Sequence, residues 1–252
     1  MIRLEMTGPI ATATLARAPV NAIDEDWIAR LHEVIHESES AAAVSVILIR
    51  SSERAFSAGA DLELMRSRFA SAEGRAEMIQ LVREMQRAYA RLEESRLVSI
   101  AEIGGAAMGG GLELALACDL RIASSAAKLG LPEARLGLLP GAGGTQRLAI
   151  LCGQPAAKRL ILGAEVVNGS QAAELGVVHW AVEKDALPAR ARELAERIGA
   201  LPAASLEACK RCIGAAGKPE RDGYGMELAA TENLLASSGT QALVRAFLEG
   251  RR

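Results

Sequence analysis

Three stretches of the 252-residue chain hold small residues and carboxylates at spacings that could do chemistry. The first is Met108-Gly109-Gly110-Gly111-Leu112-Glu113. Three glycines ahead of a helix leave backbone N–H groups free at its positive end. Such donors suit a phosphate or a developing oxyanion. Glu113 falls in the first turn, where the helix dipole favours its charge. Leu114, Leu116 and Cys118 follow it and make the helix read as buried. A carboxylate beside a buried helix is costly unless it is used or paired. The plainer reading is a glycine turn followed by a surface glutamate. A nucleotide site has little support. Gly104-x-Ala106-x-x-Gly109 only imitates the dinucleotide fingerprint, and no Lys-Ser or Lys-Thr follows for a phosphate loop.

The second stretch, Ala55-Phe56-Ser57-Ala58-Gly59-Ala60-Asp61, leaves a buried strand and precedes a helix. Its small residues let a ligand lie against bare backbone, at the strand end where ligands are favoured. As a plain loop it would use Asp61 as an N-cap. The third, Gly130-Leu131-Pro132-Glu133-Ala134-Arg135-Leu136-Gly137, starts a short helix with Pro132 and puts Glu133 in its first turn. Alone, Glu133 reads as solvated. Pro140-Gly141-Ala142-Gly143-Gly144-Thr145 reads as a structural glycine turn opening another helix.

Strands around Ile2–Met6 and Ile10–Leu15 flank the turn Thr7-Gly8-Pro9. Asp24 is expected to cap a helix running to about Ser38, with Trp27, Ile28, Leu31, Val34 and Ile35 at helical spacing. The β-branched run Val44–Arg50 reads as a buried parallel strand. A long helix lies within Glu73–Glu94, and Val98–Ile103 is a strand. Leu112–Cys118 has helical composition, and Asp119–Ser124 returns to strand. From Gly141 the chain reads as mostly helical, with helices at Pro202–Ala216, Tyr224–Ala236 and Thr240–Gly250. Alternating strands and helices followed by helices alone argue for an α/β fold with a helical C-terminal region. The expected organisation is residues 1–195 as the α/β core carrying the active site and residues 196–252 as the helical region.

Half the residues are hydrophobic, enough for a substantial core, and the formal net charge is −2. That balance gives no support to general nucleic-acid binding. Aromatic residues make up only 3%, so stacking platforms for bases or sugars are not expected. No apolar run reaches the ~18 residues of a membrane span, and the N-terminus lacks the pattern of a secretory signal. The expectation is a cytoplasmic protein without a membrane partner. Four cysteines in so long a chain do not make a disulfide framework.

Other signals weigh less. Cys209-Lys210-Arg211-Cys212 sits mid-helix without the further ligands a zinc site needs. His32-Glu33-Val34-Ile35-His36 spells H-E-x-x-H, but it lies on the first helix before any candidate loop and lacks an evident third ligand. No metal is expected. Arg83, Arg87 and Arg91 form a basic row interleaved with Glu84, Glu93 and Glu94, which reads as a solvated face. No G-x-S-x-G elbow supports a serine hydrolase.

Taken in order, these stretches resemble the crotonase, or enoyl-CoA hydratase/isomerase, superfamily over nearly the whole length. The resemblance runs from Arg17-Ala18-Pro19-Val20-Asn21-Ala22 through the Ala55–Leu62 loop and the stretch Met108–Ala123. It continues through Gly130–Leu148, Ala172–Val178 and Ala246-Phe247-Leu248-Glu249. It implies a crotonase-like spiral of ββα units with a helical C-terminal trimerisation region, and a homotrimer or homohexamer.

The resemblance also implies an acyl-CoA thioester as substrate, with coenzyme A part of that substrate and no separate cofactor. The N–H groups of Ala60 and Gly110 would form the oxyanion hole for the thioester oxygen. Glu113 and Glu133 would be the catalytic pair around one water. Arg17, Ala18, Ser57, Ala58, Gly59, Asp61, Leu62 and Gly109 would contact the substrate or its CoA. Arg251 and Arg252 would meet the phosphates of a neighbour's ligand. Many isomerases of the family keep only the equivalent of Glu133, so both glutamates together imply hydration of a trans-2-enoyl-CoA, as in fatty acid β-oxidation. The alternatives are an enoyl-CoA isomerase, another acyl-CoA lyase or dehydratase, and a binding protein that has lost catalysis. Glu102-Ile103-Gly104 departs from the family, which commonly has an uncharged residue, an apolar one and Asn there. The stretch Met65–Glu77, which lines the acyl pocket in relatives, varies most and leaves chain length open.

Overall fold

A computed structural model describes residues 1–218 and 220–249. It resolves into two compact units, Met1–Ala200 and Leu201–Arg252. In the first, β1 (Ile2–Thr7), β2 (Ile10–Leu15), α1 (Glu25–Ser40), β3 (Val46–Ser51) and β4 (Ala55–Ser57) come first. Then come α2 (Leu62–Arg68), α3 (Ala72–Glu94), β5 (Val98–Ile103), β6 (Ala106–Met108), α4 (Gly110–Ala117), β7 (Leu120–Ser124) and β8 (Lys128–Gly130). A 3₁₀ turn at Pro132–Leu136 leads into α5 (Gly144–Leu162), β9 (Val166–Asn168), α6 (Gly169–Glu174) and β10 (Trp180–Val182). A second 3₁₀ turn at Lys184–Ala186 precedes α7 (Leu187–Gly199). The second unit holds α8 (Ala203–Ile213), α9 (Gly223–Ala236) and α10 (Ser238–Leu248).

The strands form a six-stranded sheet, β1-β2-β3-β5-β7-β10, and a four-stranded sheet, β4-β6-β8-β9. Only β1–β2 and β8–β9 are antiparallel. The chain visits the large sheet and then the small one three times, as β3–β4, β5–β6 and β7–β8, and each pair runs into helix. Three parallel crossings therefore deliver three loops to one region. They are Ala58–Asp61, the turn at Gly109, and Leu131 with the 3₁₀ turn.

Both faces of the large sheet are covered, which explains the unbroken apolar run in β3. Val46, Leu48, Ile100 and Ile122 pack on Leu187, Ala191 and Leu194 of α7. Ile47, Ile49, Ala101 and Ile103 point the other way, into a core with Trp27 and Leu31 of α1, Tyr89 of α3 and Leu112 of α4. Asp24 caps α1 by accepting the Trp27 N–H at 2.9 Å. Two short strands, β9 and β10, interrupt the region expected to be helical from Gly141 onward. Among the described residues no helix is long and apolar enough to cross a membrane.

A buried asparagine ties the loop after β2 to the one after β3. Asn21 adopts φ 52°, a conformation Asn tolerates better than most residues. Its Nδ2 donates to Ser51 Oγ (2.8 Å), Ala55 O (3.2 Å) and Phe56 O (3.0 Å). Its Oδ1 accepts the Arg17 N–H at 2.8 Å. Its carbonyl takes the Ser57 hydroxyl at 2.7 Å, and that hydroxyl accepts the Gly59 N–H at 3.2 Å. Removing the amide orphans several buried groups at about 1–3 kcal/mol each. Asn21→Ala should therefore lower unfolding stability in urea by about 3 kcal/mol, discounting for relaxation. A loss below about 1 kcal/mol would contradict this role for the side chain.

Candidate active site

Gly59 lets two backbone turns come together. Its φ is +88°, and a Cβ there would stand 2.8 Å from Met108 O and 3.1 Å from Gly110 N. Only glycine fits so close an approach. The chain around it is held by neighbours: Ile23 N–H donates to Gly59 O and Asp61 N–H to Ile23 O, both at 2.9 Å. Between them, Ala60 N–H has no acceptor among the described residues. Gly110 N–H, at the first position of α4, has none either. The Tyr89 hydroxyl donates to Gly110 O at 2.9 Å and fixes this end of the helix. Two unclaimed donors on two loops that meet at Gly59, one of them at a helix start, are of the kind that can stabilise an anion.

The carboxyl groups lie close by. Glu113 is only 2% exposed, one turn into α4. Its Oε1 accepts the Gly144 N–H at 2.7 Å. Burial pushes its pKa from the usual 4.5 to about 7. Gly144 N–H opposes that shift, Glu133 adds to it, and Ala142 N–H and the Arg147 charge oppose it. Glu133 stands in the 3₁₀ turn, and burial raises its pKa too. Its Oε2 is buried without a hydrogen-bond partner among the described residues. Its Oε1 lies over Gly109, where a Cβ would come within 2.8 Å of it. The positive φ of Gly109, 51°, turns the chain just before Gly110. The four groups expected to do chemistry thus converge, and Glu133 is not the solvated residue it resembles in isolation.

The turn at Pro140–Thr145 is more than structural, since its Gly144 N–H clasps Glu113. Asn21, Tyr89 and Gly144 all shape the site. Only the glycine carried a local signal, at a helix start.

The residues proposed for CoA are placed unevenly. The Ser57 hydroxyl is spent on Asn21 and Gly59. Asp61 caps α2, accepting Glu63 N–H at 3.0 Å and Leu64 N–H at 3.1 Å. Arg17 pairs with Asp24 at 2.5 Å and lies 3.9 Å from Asp61, so its guanidinium borders the same loop. Ala18, Ala58 and Leu62 are exposed. Arg251 and Arg252 lie outside the described residues. Glu102 belongs elsewhere. Strand alternation puts it with Ile100 on the α7 face of the large sheet, where burial raises its pKa against the charges of Arg50 and Arg192.

His32 lies 3.9 Å from Glu84, and no cluster of three potential metal ligands occurs among the described residues. Cys209 and Cys212 lie toward the C-terminal end of α8, Cys212 in its last turn, rather than mid-helix. In the basic row, Arg87 pairs with Glu84 and Arg91 with Glu39, each at 2.6 Å.

A carboxyl whose pKa is raised by folding favours the folded state while protonated. That contribution is full below about 4.5 and is lost as pH rises through about 7. Glu113→Gln keeps an acceptor for Gly144 N–H and removes the ionisation. Near pH 4 its thermal stability should match wild type. At pH 8 the variant should be the more stable, by on the order of 3 kcal/mol. A difference independent of pH would contradict the raised pKa.

The profile of the enoyl-CoA hydratase/isomerase family matches residues 5–252. A short-chain-enoyl-CoA hydratase of Clostridium acetobutylicum is 34% identical over 252 residues, covering 99% of this chain and 95% of its own. A crotonyl-CoA hydratase of Syntrophomonas wolfei is 33% identical, covering 92% and 88%. The crystal structure of an enoyl-CoA hydratase from Bacillus anthracis superposes with a TM-score of 0.91 at 31% identity, covering 99% of this chain and 96% of that one. With the spiral of β-strand pairs, the paired N–H donors and the two carboxyls in place, this chain belongs to the crotonase, or enoyl-CoA hydratase/isomerase, family.

Proposed function

We propose that the protein hydrates a trans-2-enoyl-CoA to the 3-hydroxyacyl-CoA by syn addition of water. The observation that carries this reading is the pairing of buried Glu113 with half-buried Glu133, whose Oε2 is itself shielded from solvent, beside two unclaimed backbone donors. The thioester oxygen accepts from Ala60 N–H and Gly110 N–H, which stabilise the enolate as it forms. A preorganised donor of this kind is worth about 10²–10³ in rate. The ionised carboxyl of the pair takes a proton from water as the water oxygen bonds Cβ. The protonated carboxyl gives its proton to Cα. The pair ends with the same number of protons, and one water has been added. The CoA portion runs past Arg17, Ala18, the Ser57–Leu62 loop and Gly109. The reaction is neither oxidation nor reduction, so it calls for no redox cofactor.

Two neighbouring carboxyls with raised pKa values suit this division of labour, because their repulsion keeps one protonated while the other ionises. Migration of a double bond needs only a proton shuttle, so two neighbouring carboxyls favour water addition. Assembly into trimers or hexamers is part of the same proposal. Tyr224, Leu228 and Leu235 of α9 and Leu243 and Val244 of α10 are exposed apolar side chains, which suit a subunit interface.

Loss of the conjugated-thioester absorbance of crotonyl-CoA tests this directly. Wild type should turn over. Glu113→Gln and Glu133→Gln should each fall by about 10² or more, the usual worth of a positioned acid or base. Wild type inert on crotonyl-CoA and on a long-chain homologue would overturn the hydratase reading. The profile of kcat/KM against pH should be a bell with its alkaline limb near 7, where Glu113 loses its proton. A flat profile from about pH 5 to 9 would contradict the shared proton.

A further inference from the structure

The donors that clasp Glu113 belong to a turn with little stiffness of its own. Gly141-Ala142-Gly143-Gly144 contains three glycines, and Gly143 has φ 108°. Its shape is imposed from outside. Arg147, on the first turn of α5, donates from Nη1 to Ala142 O at 2.8 Å. Its other two nitrogens form a fork on Glu93 of α3, Nε to Oε1 at 2.8 Å and Nη2 to Oε2 at 2.7 Å. The guanidinium lies against Gly143, where a Cβ would overlap it. Gln86, two helical turns before Glu93, donates to Gly141 O at 2.6 Å. The Arg147 side chain is 12% exposed and that of Glu93 42%, so the fork is shielded on the arginine side and meets solvent on the carboxylate side. A bidentate guanidinium has a fixed geometry that a lysine cannot copy.

We propose that Arg147 is a positioning residue for Glu113. Bridging Glu93 to Ala142 O, it holds the Ala142–Gly144 turn in the shape that points N–H groups at the Glu113 carboxyl. It does not touch the reacting atoms in this role. The groups facing Glu113 are Glu133 from the 3₁₀ turn, Arg147 from α5 and the neutral Tyr89 phenol from α3. Of these only Arg147 favours the ionised carboxylate, by its charge and through the N–H groups it orients. Losing it removes both effects, so Glu113 should hold its proton to higher pH. The turnover part of the test rests on the hydratase reading, and the titration does not.

The test is the titration of Glu113 in the free full-length protein by infrared difference spectroscopy. The carboxyl band is assigned by its loss in Glu113→Gln. In Arg147→Gln the midpoint should rise from about 7 by about half a unit or more. Arg147→Lys keeps the charge but loses the fork, and should shift it upward by less. With crotonyl-CoA, kcat of Arg147→Gln should fall about tenfold or more, with KM changed less than about threefold, as expected for a misplaced group. An unmoved midpoint in folded Arg147→Gln would overturn the proposal, whatever its activity, because a merely structural residue would lower stability alone. Should that variant not fold, Arg147→Lys decides: a midpoint above wild type supports the role, and one equal to wild type overturns it. Wild type inert on enoyl thioesters would count against the hydratase reading while leaving the titration result in force.

Discussion

Two carboxyl groups that share one buried space cannot both ionise without cost, and the rest of this site is arranged around that constraint. Glu113 sits in the first turn of an apolar helix with almost no contact with solvent. Burial raises its pKa, and Glu133 raises it further. The helix start, Gly144 N–H and Arg147 keep ionisation within reach of neutral pH. Without those compensations the group would hold its proton well above neutral pH. Without the burial it would be an ordinary surface carboxylate with no reason to hold a proton at neutral pH.

The fold meets this constraint by topology rather than by any single element. Three passes from the large sheet to the small one bring Ala60, Gly110 and Glu133 together from distant parts of the chain. α3 then braces two of the loops from one side. Gln86, Tyr89 and Glu93 recur at helical spacing, and their polar ends reach Gly141 O, Gly110 O and Arg147. Asn21 does the corresponding work for the Ala55–Asp61 loop. The Ala60 and Gly110 donors are backbone groups, so their placement depends on how well the backbone is held. Asn21, Ser57 and Tyr89 hold it through buried hydrogen bonds to carbonyl oxygens. A site built from side chains alone would tolerate looser loops.

Much of this was legible in the sequence where the signal is local. The Asp24 cap, the apolar spacing of α1 and the continuous run of β3 each follow from patterns within one element. So does the glycine triplet before Glu113, with apolar residues after it. The three-residue strands β4, β6, β8 and β9 were not legible, because so short a strand has no period to read and exists through its partners. Asn21 stood inside a recognised motif, but its bonds to Ser51, Ala55 and Phe56 reach more than thirty positions away. Gln86, Glu93 and Arg147 looked like the charged face of a helix and a turn residue. Their roles arise only when α3 and α5 meet. Glu102, given no role from the sequence, lies close to the glycine triplet along the chain, yet strand alternation turns it to the other face of the sheet.

The most direct test of the paired-carboxyl chemistry follows the oxygen and the hydrogen that the product gains. Crotonyl-CoA is incubated with the enzyme in deuterated, ¹⁸O-enriched water, and the product is analysed by mass spectrometry and NMR. One ¹⁸O at C3 and one deuterium at C2, added to the same face, is the result expected if one carboxyl of the pair activates the water and the other, exchanged with solvent, protonates Cα. Deuterium at C2 or C4 with no ¹⁸O at C3 would contradict it, and would show proton shuttling without hydration.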